Sequence, residues 1–154
     1  MIETPTIVQT AAQPAAVIRL TIPRAEIQSA MGPAFGELMA TMGAQGIAPA
    51  GPFFAHHFRL DPDVFDFEVG VPVSATVAAS GRVVAGELPA AKAARTVYHG
   101  GYDGIGAAWG EFSDWVAAQG LAPAGNVWEI YAVGPESGPD ADTYRTELVQ
   151  PLRA

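Results

Sequence analysis

The chain has no cysteine, a single lysine and few charges of any kind: 8 Lys+Arg and 16 Asp+Glu in 154 residues, a charged fraction of 16%. The missing cysteine removes disulfides, thiolate metal ligands and thiol nucleophiles together. Lys92 and seven scattered arginines, in a chain of net charge −8, exclude the clustered cations that phosphate neutralisation needs. No apolar run approaches the ~18–20 residues of a membrane span. Met1 to Pro5 carries no basic n-region, so no signal peptide is expected. What is present is 49% hydrophobic residues, enough to bury the core of one domain and too many for disorder. The expectation is a single cytoplasmic domain over 1–154 that binds neither nucleic acid nor membrane.

The chain repeats itself. Ala44-Gln45-Gly46-Ile47-Ala48-Pro49-Ala50-Gly51 returns 74 residues on as Ala118-Gln119-Gly120-Leu121-Ala122-Pro123-Ala124-Gly125. In the same register Gly32, Ala34, Gly36 and Glu37 return as Gly106, Ala108, Gly110 and Glu111. Glu68-Val69-Gly70-Val71-Pro72-Val73 resembles Glu147-Leu148-Val149-Gln150-Pro151-Leu152, 79 residues on. The second copy therefore holds five extra residues, for which Gly134 to Asp142 is the natural place.

Each copy reads as strand–helix–strand–strand. Ala15 to Ile22 is rich in β-branched residues and stops at Pro23. Arg24 to Gln45 places Ile27, Met31, Phe35, Leu38 and Met42 at helical spacing, with Gly32-Pro33 as a possible kink. Phe53 to Leu60 and Val64 to Val71 are strands about the turn Asp61-Pro62-Asp63. In the second copy Arg95 to His99 is a strand. Ile105, Trp109, Phe112 and Val116 form a helical stripe, and Val127 to Val133 with Thr143 to Val149 closes the copy. Between copies, Val83 to Glu87 is a possible short strand and Leu88 to Ala91 a linker. The first dozen residues show no pattern and are expected to fray. The fold class is α+β: tandem modules (about 13–73 and 92–152, linker 74–91) related by a pseudo-two-fold. An antiparallel sheet carries helices on one face, with a ligand cleft expected between the modules.

Chemistry is concentrated in Trp128-Glu129-Ile130-Tyr131. Alternation puts Glu129 and Tyr131 on one strand face, and Trp128, Ile130 and Ala132 on the other. The wholly apolar second face is expected under the helix, with Glu129 pointing away from it. In the first copy Ala55 stands at the position of Glu129 and His57 at that of Tyr131, so the carboxylate is unique to one copy. A lone carboxylate among rings suits a cation pocket. Phe53, Tyr102 and Trp109 join Glu129, Tyr131 and His57 as candidate ligand-lining residues. Adjacent strand histidines point to opposite faces, so His56-His57 cannot chelate one ion, and no HxH or HExxH spacing exists. No metal or cofactor is expected. Glu68 and Glu147 read as surface charges. Ser29, Ser74, Ser80, Ser113 and Ser137 lack a nucleophile-elbow setting.

The run Val97-Tyr98-His99-Gly100-Gly101-Tyr102, then Gln119 to Gly125, Trp128-Glu129-Ile130-Tyr131 and Thr146 to Leu152 together resemble the GyrI-like small-molecule-binding family, the effector-binding domain of AraC-type and MerR-type multidrug regulators. Phe65 to Val73 and Gly86-Glu87-Leu88-Pro89-Ala90 fit the same family. The resemblance implies a pseudo-symmetric cleft for amphipathic, often cationic aromatic compounds. The family's buried glutamate maps onto Glu129 and its neighbouring aromatic onto Tyr131. His57 departs from the tyrosine many relatives carry, and would make binding pH-sensitive. A stand-alone module without a helix-turn-helix is expected. The leading function is a sequestrant or sensor of small hydrophobic or cationic aromatic compounds. The alternative is a hydrolase of cyclopropanoid or related electrophilic natural products, with Glu129 catalytic. A protein-partner role, with an acidic surface mimicking DNA, has no acidic run to support it.

Overall fold

The computed structural model describes residues 2–60, 63–134, 138 and 140–153. Asp61 and Pro62 of the expected turn, Ser137, and residues 135–137 and 139 of the expected insertion lie outside the described residues. The elements in chain order are β1 Thr6–Gln9, β2 Gln13–Pro23, α1 Ile27–Ala44, β3 Phe54–Leu60, β4 Val64–Pro72, β5 Val84–Leu88, β6 Lys92–His99, α2 Ile105–Ala118, β7 Val127–Val133 and β8 Arg145–Pro151. The fold is α+β, with antiparallel strand pairing and two helices.

The chain divides into two units, Ala11–Ala90 and Met1–Thr10 with Ala91–Ala154. In the first, the strands run β3-β4-β2-β5; in the second, the equivalent strands run β7-β8-β6-β1. Each unit thus adds a fourth strand to the expected three. The possible short strand at Val83 to Glu87 is β5, which pairs with β2. The N-terminal segment, expected to fray, supplies β1, with Thr6 opposite Arg95 and Gln9 opposite Lys92. A four-residue edge strand draws its stability from backbone hydrogen bonds and leaves little pattern in its side chains.

The repeated Gln-Gly-x-Ala-Pro-Ala motif has a mechanical cause. Gly46 and Gly120 close the two helices at φ 68° and 71°, the left-handed conformation that glycine adopts without strain. Ile47 N–H then reaches Met42 O, and Leu121 N–H reaches Val116 O. Further on, Ala50 donates to Pro72 O and Ala124 to Pro151 O, each at 2.8 Å, tying the returning chain to the ends of β4 and β8.

In the first unit α1 buries Ala34, Leu38 and Met42. Pro33 is accommodated inside this helix without ending it. Phe35, placed in the apolar stripe by spacing, is instead exposed and meets Phe53 edge-on at 4.8 Å. In the second unit Ala108, Phe112 and Val116 of α2 pack on Ala94 and Tyr98 of β6 and Leu148 of β8.

Candidate functional site

Glu129 sits in mid-β7, directly opposite Leu148 of β8. Cross-strand partners share a face, and Leu148 packs beneath Phe112 and Val116 of α2. Glu129 therefore faces the helix, not away from it. The apolar face of Trp128 and Ile130 lies on the other side, where Trp128 is buried. Alternation identifies which residues share a face but cannot say which face the helix covers. The strand's bulkiest apolar residue lies opposite α2, and the helix brings its own polar partner to the carboxylate.

That partner is Trp109, whose indole Nε1–H donates to Glu129 Oε2 at 2.6 Å. Tyr131 Oη donates to Oε1 at 2.8 Å. Both carboxylate oxygens are thus held by neutral donors. Burial pushes the Glu129 carboxyl above the ordinary carboxylate range, and the bonds from Trp109 and Tyr131 pull partly against it. Burial raises the Tyr131 phenol well above its usual value, and the Glu129 charge adds to the effect. Glu129, Tyr131 and Trp109 each remain partly exposed, so the carboxylate is recessed but reachable. The rings continue outward. Tyr131 meets Tyr102 edge-on at 5.7 Å, and Tyr102 lies 5.5 Å from Tyr144.

The Tyr98-His99-Gly100-Gly101-Tyr102 run fixes where α2 begins. Buried Tyr98 donates its hydroxyl to Gly101 O at 2.8 Å. A Cβ on Gly104 would overlap that hydroxyl, and one on Gly100, at φ 137°, would lie 2.9 Å from it. The two glycines let the phenol enter the turn, which seats Tyr102 beside Tyr131 and sets the start of the helix that carries Trp109.

A GyrI-like small-molecule-binding domain model matches residues 3–153, nearly the whole chain. The chain belongs to the GyrI-like family. The crystal structure of the EcmrR C-terminal domain is similar at TM-score 0.85 and 19% identity, covering 97% of each chain. The chain spans 57% of the EcmrR chain in that regulator's DNA complex. SAV2435 bound to tetraphenylphosphonium has the same fold at TM-score 0.66 and 12% identity, covering 99% of this chain and 95% of that one. A hydrolase from Listeria innocua is similar at TM-score 0.66 and 13% identity, covering 97% and 91%. No curated protein matches the chain by sequence.

In this GyrI-like chain Glu129, Tyr131, Trp109 and Tyr102 come together within one unit. Tyr144, not anticipated, extends their row of rings; its sequence signal is a lone aromatic just after the inserted segment. His57 and Phe53 belong to the other unit. His57 is buried against Phe65 and Phe67, stacked on the latter at 5.1 Å. Desolvation, aided by Arg24, lowers its pKa to about 4, so the ring is neutral near pH 7. His56, across from Glu68 on the opposite strand face, is likewise lowered to about 4. Glu147 pairs with Arg95 at 2.7 Å on the face away from Glu129. Among the described residues no group of three or more His, Asp or Glu side chains could hold a metal ion. Among the described residues no helix is long and apolar enough to cross a membrane.

Proposed function

We propose that this GyrI-like chain binds hydrophobic cations bearing aromatic groups, with the Glu129 carboxylate as counter-ion and Tyr131, Trp109 and Tyr102 as ring contacts. It would act as a cytoplasmic sequestrant or sensor of drug-like compounds. The observation that carries this reading is a recessed carboxylate held by two neutral donors, with no cation beside it among the described residues. Such a group is desolvated without charge compensation, and an arriving cation supplies that compensation. Aromatic faces add ~0.5–2 kcal/mol of cation–π attraction. SAV2435, bound to tetraphenylphosphonium, shows that a protein of this fold accommodates a cation of that class.

Binding is favoured over hydrolysis by the same geometry. The Tyr131 phenol, whose pKa is raised and whose proton is already given to Glu129, is a poor acid for a hydrolase. Isothermal titration of tetraphenylphosphonium and of neutral triphenylphosphine oxide tests the proposal. Glu129→Gln should weaken the cation by about tenfold or more, since a charged partner is worth ~1.5–3 kcal/mol, and leave the neutral compound nearly unchanged. Equal affinity of parent and variant for the cation would refute it. Ring-opened product from a spirocyclopropyl compound, above the buffer rate and lost in Glu129→Gln, would establish the hydrolase instead.

A further inference from the structure

The helix-facing side of β8 carries one polar group that the packing does not satisfy. Thr146 is 0% exposed, and its Oγ1 is enclosed without a hydrogen-bond partner among the described residues. Tyr131 on β7 and Tyr98 on β6 stand directly opposite it, and Tyr144 precedes it by two residues. None of these phenols serves it. Tyr131 Oη donates to Glu129, Tyr98 Oη to Gly101 O and Tyr144 Oη to Gly138 O. An enclosed hydroxyl in this state costs more than the methyl group of a valine of the same shape.

The other unit treats the same position differently. Phe67 stands 79 residues before Thr146, and its ring stacks at 5.1 Å on His57, the counterpart of Tyr131. The unit with alanine in place of Glu129 thus has a phenyl ring in place of the hydroxyl. Carboxylate and hydroxyl occur together in one unit and on one sheet face. Glu129 lies opposite Leu148, two residues beyond Thr146, so the two are diagonal cross-strand neighbours, ~7–8 Å apart.

Resting on the reading of Glu129 as counter-ion, we propose that Thr146 is a second polar contact of that site and sets its ligand class: an aromatic cation with a hydroxyl or carbonyl oxygen across the ring from its charge. The charge meets Glu129, the ring lies along Tyr131, and the oxygen reaches Thr146 Oγ1. Tyr102 turns aside to admit it. That ring is 39% exposed and meets Tyr131 and Tyr144 ring to ring, and rotamer changes of exposed side chains are fast. The Thr146 hydroxyl is already stripped of water, so its bond to the ligand carries no further desolvation cost on the protein side.

Isothermal titration with benzyltrimethylammonium and its 4-hydroxy derivative tests the proposal. The parent should bind the hydroxylated probe about three- to tenfold more tightly, the range of one net hydrogen bond. Thr146→Val should abolish that preference, chiefly by weakening the hydroxylated probe, and Thr146→Ser should retain it. The free Thr146→Val protein, relieved of the unsatisfied hydroxyl, should match or exceed the parent in Tm. Equal affinity of the parent for the two probes, or a preference that survives in Thr146→Val, would overturn the proposal. So would a Tm lower by about 3 °C or more in that variant, since the hydroxyl would then be bonded within the fold. Benzyltrimethylammonium binding that Glu129→Gln does not weaken would instead refute the counter-ion reading, and this proposal with it.

Discussion

Trp109 and Glu129 are 20 residues apart in the chain and joined by a 2.6 Å hydrogen bond from indole to carboxylate. In the other unit the same two positions hold Phe35 and Ala55. Donor and acceptor are absent together there, as expected if the pair works as a unit: a recessed indole N–H or carboxylate left alone costs ~1–3 kcal/mol. The two units share the same strand order, and at this position only one carries a carboxylate.

That charge has a cost visible in stability. The folded pKa of Glu129 lies above its unfolded value, chiefly through burial. The folded state therefore holds the proton more tightly. Its contribution is complete below the unfolded pKa and lost as pH rises through the folded pKa. Glu129→Gln, which does not titrate, should gain Tm relative to the parent as pH rises above the ordinary carboxylate range, and lose that advantage below it. Thermal unfolding of both proteins across pH 4 to 8 (about one pH unit apart) measures this.

His57 behaves oppositely. Its folded pKa of about 4 lies below the ordinary 6.5, so its contribution is present above 6.5 and lost as pH falls towards 4. His57→Phe, a ring substitution between Phe65 and Phe67, should flatten the acid limb of the stability curve. Because the ring is neutral near pH 7, the variant should keep tetraphenylphosphonium affinity within about twofold across neutral pH. A neutral-pH step in affinity that disappears in His57→Phe would restore the sensor role its position suggests.

Tyr98 and Gly104 form a steric pair. Gly104→Ala places a methyl group on the Tyr98 hydroxyl and should destabilise the chain by about 1–3 kcal/mol, the cost of overpacking. Tyr98→Phe in the same chain removes the obstructing oxygen, so the double variant should recover part of the loss. Urea unfolding of the four proteins in this cycle gives the coupling energy; strict additivity would show that the two residues do not clash.

How far the sequence could be read depends on which forces act at each element. Both helices and the four strands that follow them were legible because burial imposes period and glycine imposes φ. β1 escaped notice because an edge strand is held by backbone bonds that Thr6 to Gln9 do not advertise. Glu129 and Tyr131 stood out as polar groups in an apolar strand, yet the face they occupy depends on Leu148 and Phe112, which only packing brings together. Trp109 stood out as a ring on the helical stripe, but its bond to Glu129 comes only from the packing of α2 on β7.

The central claim is that an ionised Glu129 receives the cation. The carbon-13 shift of its carboxyl group, followed against pH with and without saturating tetraphenylphosphonium, tests this most directly. A cation bound against the carboxylate stabilises the charged form, so the raised pKa of the free protein should fall by about one unit or more on binding. An unchanged pKa in a saturated complex would contradict the account.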